Sequence, residues 1–128
     1  FFECYGDNSF VGFHHPDDKM HLAMTEMFMK KKGYIEPNDF IDIFCKDKRI
    51  ETPDVIYIGK LDMDFVNSIV NNDWTQEGCQ YPNVKEGVVI KRSTLMKGQR
   101  LPMCKVKTNW WINKLHANFS EEECKMLE

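Results

Sequence analysis

The spacing of apolar residues changes several times along the chain, between the alternation typical of strands and the spacing typical of helices. Residues 2–5 alternate apolar and polar side chains, which predicts a strand ending at the turn residues 6–8. Residues 9–13 predict a return strand. Residues 21–29 are strongly apolar and predict a buried strand, although a helix would have a similar composition. The lysine-rich stretch 30–33 then predicts a hairpin loop.

Helical spacing first appears in the middle of the chain. A proline opens residues 37–48, which predict a short helix, and apolar side chains recur at helical spacing over residues 61–71. Residues 55–58 predict a brief strand between these helices. Two further strands are predicted at residues 87–90 and 102–107.

The C-terminal part returns to helical patterns. Trp111 and Leu115 share one face of a predicted helix, and Ser120 with Glu123 forms a capping-box pattern for a last helix. Short strands mixed with helices, without regular alternation, predict an α+β fold with an antiparallel-rich sheet and flanking helices. At 128 residues the chain fits a single domain, 1–128.

Composition places the chain among ordinary globular proteins. Apolar residues make up 42% and charged residues 29%, and no apolar run is long enough to span a bilayer, so no membrane partner is expected. The five cysteines are scattered, which predicts reduced thiols and an intracellular location, cytoplasmic or nuclear. The chain opens on Phe1-Phe2 without an initiator methionine, which suggests that it is truncated at its N-terminus.

The net charge of −3 hides a strong asymmetry along the chain. Residues 1–84 contain 8 Lys/Arg and 15 Asp/Glu, whereas residues 85–114 contain 8 Lys/Arg and 1 Asp/Glu. A basic block in an acidic chain indicates a site for an anion, either a phosphate or a nucleic acid. A solvated basic face would have the same composition, so charge alone leaves both interpretations open.

Two short stretches within this block suggest more specific chemistry. Lys105 and Lys107 lie two apart on a predicted strand, so they share a face and repel each other unless an anion neutralises them. A solvent-exposed edge strand also commonly carries lysine. Glu86 precedes the strand 87–90, where a carboxylate can coordinate Mg²⁺ or a ribose hydroxyl, and Gly87 permits a close approach of the backbone. The dipeptide alone is also a common loop ending before a strand.

Together these stretches resemble motifs of the covalent nucleotidyltransferases, the superfamily of ATP-dependent DNA and RNA ligases and mRNA capping enzymes. Residues 86–91, E-G-V-V-I-K, resemble motif IV, and the K-V-K of residues 105–107 resembles motif V. Residues 2–6, F-E-C-Y-G, resemble motif III. The ending K-V-K-T-N-W-W at residues 105–111, with His116 a turn later, is similar to RNA ligases of the T-even phage RNA ligase 1 type.

The resemblance implies a fold, ligands and roles. The chain would be part of a nucleotidyltransferase (ATP-grasp-like ligase) adenylylation domain that binds ATP or AMP with Mg²⁺ or Mn²⁺. Glu3 would contact the ribose, and Glu86 would hold the catalytic metal. Lys105 and Lys107 would bind the α-phosphate and stabilise its developing charge. Lys91, at the end of motif IV, would have a supporting role in nucleotide binding.

Two departures from the family pattern affect these expectations. Motif IIIa would supply an aromatic residue for adenine stacking, but Thr25 occupies that position beside Glu26, so Met24 or Phe28 would have to serve. The nucleophilic lysine of a K-x-D-G or K-x-N-G tetrapeptide, which attacks ATP, is absent from the sequence. In the family it lies upstream of motif III. The chain alone is therefore expected to be inactive, and an upstream portion of the same protein is an expected partner.

The predicted parent is thus an ATP-dependent RNA ligase that seals RNA 5′-phosphate and 3′-hydroxyl ends through lysyl-AMP and RNA-adenylate intermediates. A DNA ligase or capping-enzyme relative is an alternative within the superfamily. A non-catalytic RNA-binding module is an alternative of a different class. It would use the basic block of residues 85–114, with Trp110 and Trp111 stacking on bases. For the tryptophan pair, packing in the core is the competing interpretation.

Overall fold

A computed structural model describes residues 1–47, 49–73, 84–95 and 100–127. The chain divides into two compact units. Unit 1 comprises Phe1–Asp54 and Lys91–Pro102, and unit 2 comprises Val55–Ile90 and Met103–Glu128. The assignment of residues 1–128 to a single domain stays a prediction.

Unit 1 begins with an antiparallel pair of strands, β1 (Phe2–Gly6) and β2 (Met20–Met24). Their register places Phe2 opposite Met24 and Gly6 opposite Met20. The predicted strand at residues 2–5 is confirmed, but the predicted return strand at residues 9–13 is wrong. Val11 and Gly12 both have left-handed backbones, with φ of 54° and 78°. They close a tight turn in which the backbones of Phe10 and Phe13 bond to each other, so this segment folds on itself.

The apolar run 21–29 is not one buried strand, because β2 ends at Met24. The Met24 amide donates to the carbonyl of Glu51 at 2.8 Å, and the Thr25 amide donates to the Phe1 carbonyl at 3.0 Å, so backbone contact with the start of β1 ends just beyond β2. Further along the chain, β3 (Phe28–Met29) and β4 (Gly33–Tyr34) form an antiparallel hairpin. The predicted loop at residues 30–33 is confirmed for residues 30–32, whereas Gly33 already belongs to β4. Phe28 is exposed rather than buried.

A short helical segment completes the regular structure of unit 1. Helix α1 (Pro37–Phe40) begins at a proline, whose missing amide hydrogen is tolerated in a first turn, and it continues as a π-helical turn over Ile41–Cys45. The helix predicted over residues 37–48 therefore exists but ends earlier. The buried apolar residues of this unit are Ala23, Met24, Phe40 and Leu101.

Unit 2 contains helix α2 (Met63–Asn71). Asp62 caps it, since its carboxylate accepts from the Phe65 amide at 3.0 Å, and the left-handed Asn72 ends it. The strand predicted at residues 55–58 is wrong. This segment instead packs against α2, where the Tyr57 ring lies 4.6 Å from that of Phe65.

Two strands lead from the basic block into the C-terminal helices. β5 (Gly87–Lys91) pairs with β6 (Met103–Lys107). The Thr108 amide donates to the Glu86 carbonyl and the Arg92 amide to the Pro102 carbonyl, so opposite ends of the two strands meet and the pair is antiparallel. Both strands were predicted. The polar stretch 74–83 between α2 and β5 lies outside the described residues.

Helices α3 (Asn109–Asn118) and α4 (Glu121–Leu127) end the chain. Ser120 and Glu123 form the predicted reciprocal capping box at α4, because the Glu123 carboxylate accepts from the Ser120 amide at 2.9 Å and Ser120 Oγ accepts from the Glu123 amide at 3.4 Å. The buried apolar residues of unit 2 come from α2, α3 and α4: Phe65, Ile69, Trp111, Leu115 and Cys124.

Small antiparallel sheets mixed with helices confirm the α+β class. Within the described ranges, the four cysteines form no disulfide with one another, and Cys79 lies outside them. None of the helices in the described part of the chain has the length and hydrophobicity that crossing a bilayer requires.

Candidate functional site

The hairpin of β5 and β6 brings together two of the predicted site residues. Glu86 lies just before β5 and Lys107 ends β6, 21 positions later. The Lys107 ammonium donates to Glu86 Oε1, which makes an ion pair within unit 2. The Lys107 side chain is 23% exposed and that of Glu86 is 66% exposed. The carboxylate is thus open to solvent, while the lysine is partly enclosed.

Trp111 supplies the surface on which Lys107 rests. The Lys107 ammonium lies 4.1 Å from the centroid of the Trp111 ring, within the range of a cation–π contact. Trp111 is only 3% exposed, so its ring is fixed by the core of unit 2. A carboxylate and an aromatic face together hold this ammonium group, and the contact with Trp111 was not predicted from the sequence.

Thr108 fixes the geometry of this arrangement. Its hydroxyl donates to the Lys85 carbonyl and accepts from the Trp111 amide at 3.2 Å, and its own amide donates to the Glu86 carbonyl at 3.0 Å. The residue is completely buried. Thr108 therefore caps α3 and ties the residues before β5 to the end of β6. A threonine three positions before Trp111 was the available sequence signal, since that spacing is typical of a helix cap.

Gly87 allows the two strands to approach closely. Its φ is +148°, and a side-chain carbon at this position would overlap the Val106 carbonyl and lie 2.9 Å from the Lys107 Cα. Only glycine fits without a shift of backbone. This close approach is part of what brings Glu86 within reach of Lys107.

Lys105 is exposed on β6, two positions before Lys107. No hydrogen bond or ion pair joins its ammonium to another residue in the described ranges. The expected repulsion between the two lysines is relieved within the protein, because Glu86 neutralises Lys107 and solvent surrounds Lys105. The pair of lysines therefore does not by itself require a bound anion.

Lys91 lies at the end of β5 and belongs to unit 1. Its ammonium is 3.0 Å from Glu26 Oε1 and donates to the Thr25 carbonyl at 2.8 Å. The Lys91 and Glu26 side chains are 23% and 16% exposed, so this ion pair is largely enclosed. Its assignment to nucleotide binding stays a prediction, and in this structure the two residues that follow β2 bind its ammonium group.

Glu3 is exposed on β1 and lies opposite Ala23 in the ladder with β2. Tyr5, two positions further on, stacks on His21 with ring centroids 5.1 Å apart. The Tyr5 hydroxyl donates to Glu51, and this hydrogen bond, with burial and the neighbouring carboxylates, raises the pKa of Tyr5 to about 12. Glu3 is in unit 1, and its contact with a ribose stays a prediction.

The two candidates for adenine stacking have different environments. Met24 is 6% exposed and belongs to the core of unit 1, whereas Phe28 is 55% exposed and meets Tyr34 edge-on at 5.2 Å. Of the two, Phe28 has a surface that a ligand can reach.

Glu86 is the residue predicted to hold a metal ion. In the described part of the chain, no group of three or more His, Cys, Asp or Glu side chains is arranged to hold one. Mg²⁺ is commonly bound by one or two carboxylates together with substrate phosphates, and Mn²⁺ also prefers oxygen ligands. A single exposed carboxylate fits a metal that arrives with a nucleotide, and does not fit a closed protein cage.

Comparison of the chain with protein families, with curated proteins and with solved structures finds no match.

Proposed function

We propose that this chain is part of the adenylylation domain of an ATP-dependent RNA ligase. The parent protein would join RNA 5′-phosphate and 3′-hydroxyl ends through lysyl-AMP and RNA-adenylate intermediates. The chain would contribute contacts to the ribose, the metal and the α-phosphate, and its sequence contains no K-x-D-G or K-x-N-G tetrapeptide for the nucleophile.

The ion pair between Glu86 and Lys107 is the observation that supports this proposal. The two residues come from separate motifs, and the resemblance assigns them to one metal-and-phosphate site. Their side chains meet across the β5–β6 hairpin. Gly87 and Thr108, which belong to the same motif stretches, hold the backbone in the conformation that this meeting requires.

The proposed roles follow from the chemistry of the side chains. Lys105 and Lys107 would donate charge-assisted hydrogen bonds to phosphate oxygens, and Lys107 would exchange its bond with Glu86 for one with the nucleotide. Glu86 would then be available to a metal ion. When bound, Mg²⁺ would neutralise part of the phosphate charge. Glu3 would accept a hydrogen bond from a ribose hydroxyl, and Lys91 would support the end of the strand.

Nucleotide titration tests the proposal. The chain is titrated with ATP and with AMP in the presence of Mg²⁺ by calorimetry. Lys105→Ala and Lys107→Ala are each expected to weaken binding about tenfold or more, because each removes a charge-assisted hydrogen bond to phosphate. Lys60→Ala is the matched control, since it removes an exposed lysine of unit 2 outside the two motifs.

Two results would contradict the proposal. One is wild-type protein that shows no adenine-nucleotide affinity. The other is an equal loss of affinity in Lys60→Ala, which would indicate general electrostatic attraction rather than a phosphate site.

The absence of a nucleophilic tetrapeptide has its own test. Incubation of the 128-residue chain with α-labelled ATP and Mg²⁺, followed by denaturation, should leave no label on the protein. Label that survives denaturation would show that the chain forms a covalent adenylate by itself.

A further inference from the structure

The structure separates the two adjacent tryptophans of α3. Trp111 is 3% exposed and packs in the core of unit 2, whereas Trp110 is 46% exposed. The helical turn explains the difference, because neighbouring residues on a helix point about 100° apart. Core packing therefore accounts for Trp111 but does not account for Trp110, a large aromatic side chain that remains half in solvent.

A basic side chain lies beside the exposed indole. The Lys114 ammonium, one helical turn further along α3, lies 5.1 Å from the centroid of the Trp110 ring. Asn113 and Ala117, which share this side of the helix by their spacing, are also exposed. Helix α3 contains Lys114 and His116 but no acidic residue. The next acidic residue in the sequence after α3 is Glu121, in the first turn of α4.

An exposed indole beside a lysine combines the two features with which proteins bind single-stranded nucleic acid, an aromatic surface and a positive charge. Its π-face can stack on any base, and an adjacent cation can pair with a backbone phosphate. The separation of one helical turn, about 5.4 Å, suits a base on Trp110 and a neighbouring phosphate on Lys114. Lys105, five positions before Trp110 in the sequence, is a further exposed cation of unit 2.

We propose that the exposed face of α3 binds single-stranded nucleic acid, with Trp110 stacking on a base and Lys114 contacting a phosphate. That the strand is RNA, and that this face holds an RNA near the end to be sealed, rests on the proposed function. The stacking site itself rests only on the exposure of Trp110, its contact with Lys114 and the charge of α3.

Binding of a fluorescein-labelled oligouridylate of twelve nucleotides, followed by anisotropy at low salt, tests the site. Trp110→Ala is expected to weaken binding about tenfold, and Trp110→Phe, which retains an aromatic face, by less than about threefold. Lys114→Gln should weaken binding and reduce the salt dependence by about one phosphate contact. Phe13→Ala is the matched control, because it removes an exposed aromatic ring of unit 1.

Circular dichroism of each variant shows whether it is folded. If Trp110→Ala unfolds, the two milder single variants, Trp110→Phe and Lys114→Gln, still test the site. The site is overturned if the wild-type chain does not bind the oligonucleotide, if Trp110→Phe and Trp110→Ala are equally weak while folded, or if Phe13→Ala loses as much affinity. The same oligonucleotide with deoxyribose distinguishes RNA from any single strand. Stronger binding of the RNA supports an RNA site. Equal binding of the two strands overturns the claim that the site prefers RNA.

The two proposals fail in different ways. ATP affinity that is absent while Trp110-dependent RNA binding persists would refute the adenylate site alone. ATP affinity that depends on Lys105 and Lys107, without any effect of Trp110 on RNA binding, would refute the stacking site alone. Trp110→Ala should leave ATP affinity within about twofold, because the indole is not assigned to the nucleotide site.

Discussion

Tyr5 shows how one hydrogen bond changes the pH behaviour of a residue. Its hydroxyl donates to Glu51, and its pKa rises from 10.0 to about 12. The folded protein therefore favours the neutral phenol. A raised pKa contributes stability that is fully present below the unfolded value and is lost as the pH rises through the folded value. The relevant window for Tyr5 is thus pH 10 to 12.

Substitution of Tyr5 tests this pH dependence. Tyr5→Phe removes the hydroxyl but retains the ring that stacks on His21. We expect the wild-type protein to have the higher melting temperature below pH 10, and we expect the difference to shrink between pH 10 and pH 12. Melting temperatures measured by circular dichroism from pH 8 to 12 provide the check. A difference that is constant over this range would show that Tyr5 does not titrate as described.

At the scale of elements, the β5–β6 hairpin depends on the absence of a side chain at Gly87. The strand pairing places the Val106 carbonyl where a Cβ would lie. Gly33 has an unusual backbone as well, with φ of +92°, but nothing lies within 4 Å of a Cβ built there. The two glycines therefore separate the cost of an unfavourable backbone angle from the cost of a steric clash.

Gly87→Ala should destabilise the protein by about 2 kcal/mol or more, because backbone strain and displacement of β6 add together. Gly33→Ala should cost about 1 kcal/mol, since only the backbone angle is unfavourable. Urea unfolding of both variants measures the difference. Nearly equal losses would mean that β6 yields easily to the added methyl group.

The sequence correctly predicted those elements whose boundaries are marked by a glycine, a proline or a capping residue. Gly87 before a β-branched run, the proline before β6 and the Ser120 capping box all mark boundaries in the sequence, and the structure has elements at these places. Residues 9–13 and 55–58 looked like strands by composition alone. A strand also needs a partner with matching register. Among the residues that the structure describes, neither segment pairs with another strand, because the first turns back on itself and the second packs on α2.

For the candidate site, which stays a prediction, the sequence indicated which side chains to consider but not how they contact one another. Glu86 and Lys107 were identified from residue type and spacing, and the structure brings them together. That they pair with each other, and that Trp111 lies under the lysine, depends on side-chain directions across a hairpin and a helix start. The sequence likewise could not separate Trp110 from Trp111. Their exposure is decided by how α3 turns against its neighbours.

At the scale of the whole molecule, the basic block of the sequence is divided between the units. Lys91, Arg92 and Arg100 belong to unit 1, and Lys85, Lys105, Lys107 and Lys114 belong to unit 2. Lysines of the same basic block therefore have different environments. Lys91 is largely enclosed beside Glu26, whereas Lys105 is exposed. The same loss of charge should have different consequences at these two positions.

Lys91→Ala should lower the free energy of unfolding by about 1–3 kcal/mol, because it leaves the Glu26 carboxylate enclosed without its cation. Lys105→Ala should change it by less than about 0.5 kcal/mol, as is usual for an exposed side chain. Urea unfolding measures both. A double variant, Glu26→Gln with Lys91→Met, should recover part of the loss, since no charge is then left enclosed.

Nucleotide affinity gives the opposite order if the proposed phosphate site is correct. Lys105→Ala should bind ATP weakly while remaining as stable as the wild-type protein. Lys91→Ala, measured at a temperature where it is fully folded, should lose less affinity, because Glu26 and Thr25 already hold the Lys91 ammonium. If Lys91→Ala were fully stable and lost ATP binding as strongly as Lys105→Ala, the Lys91 ammonium would have to leave Glu26 and contact the phosphates directly.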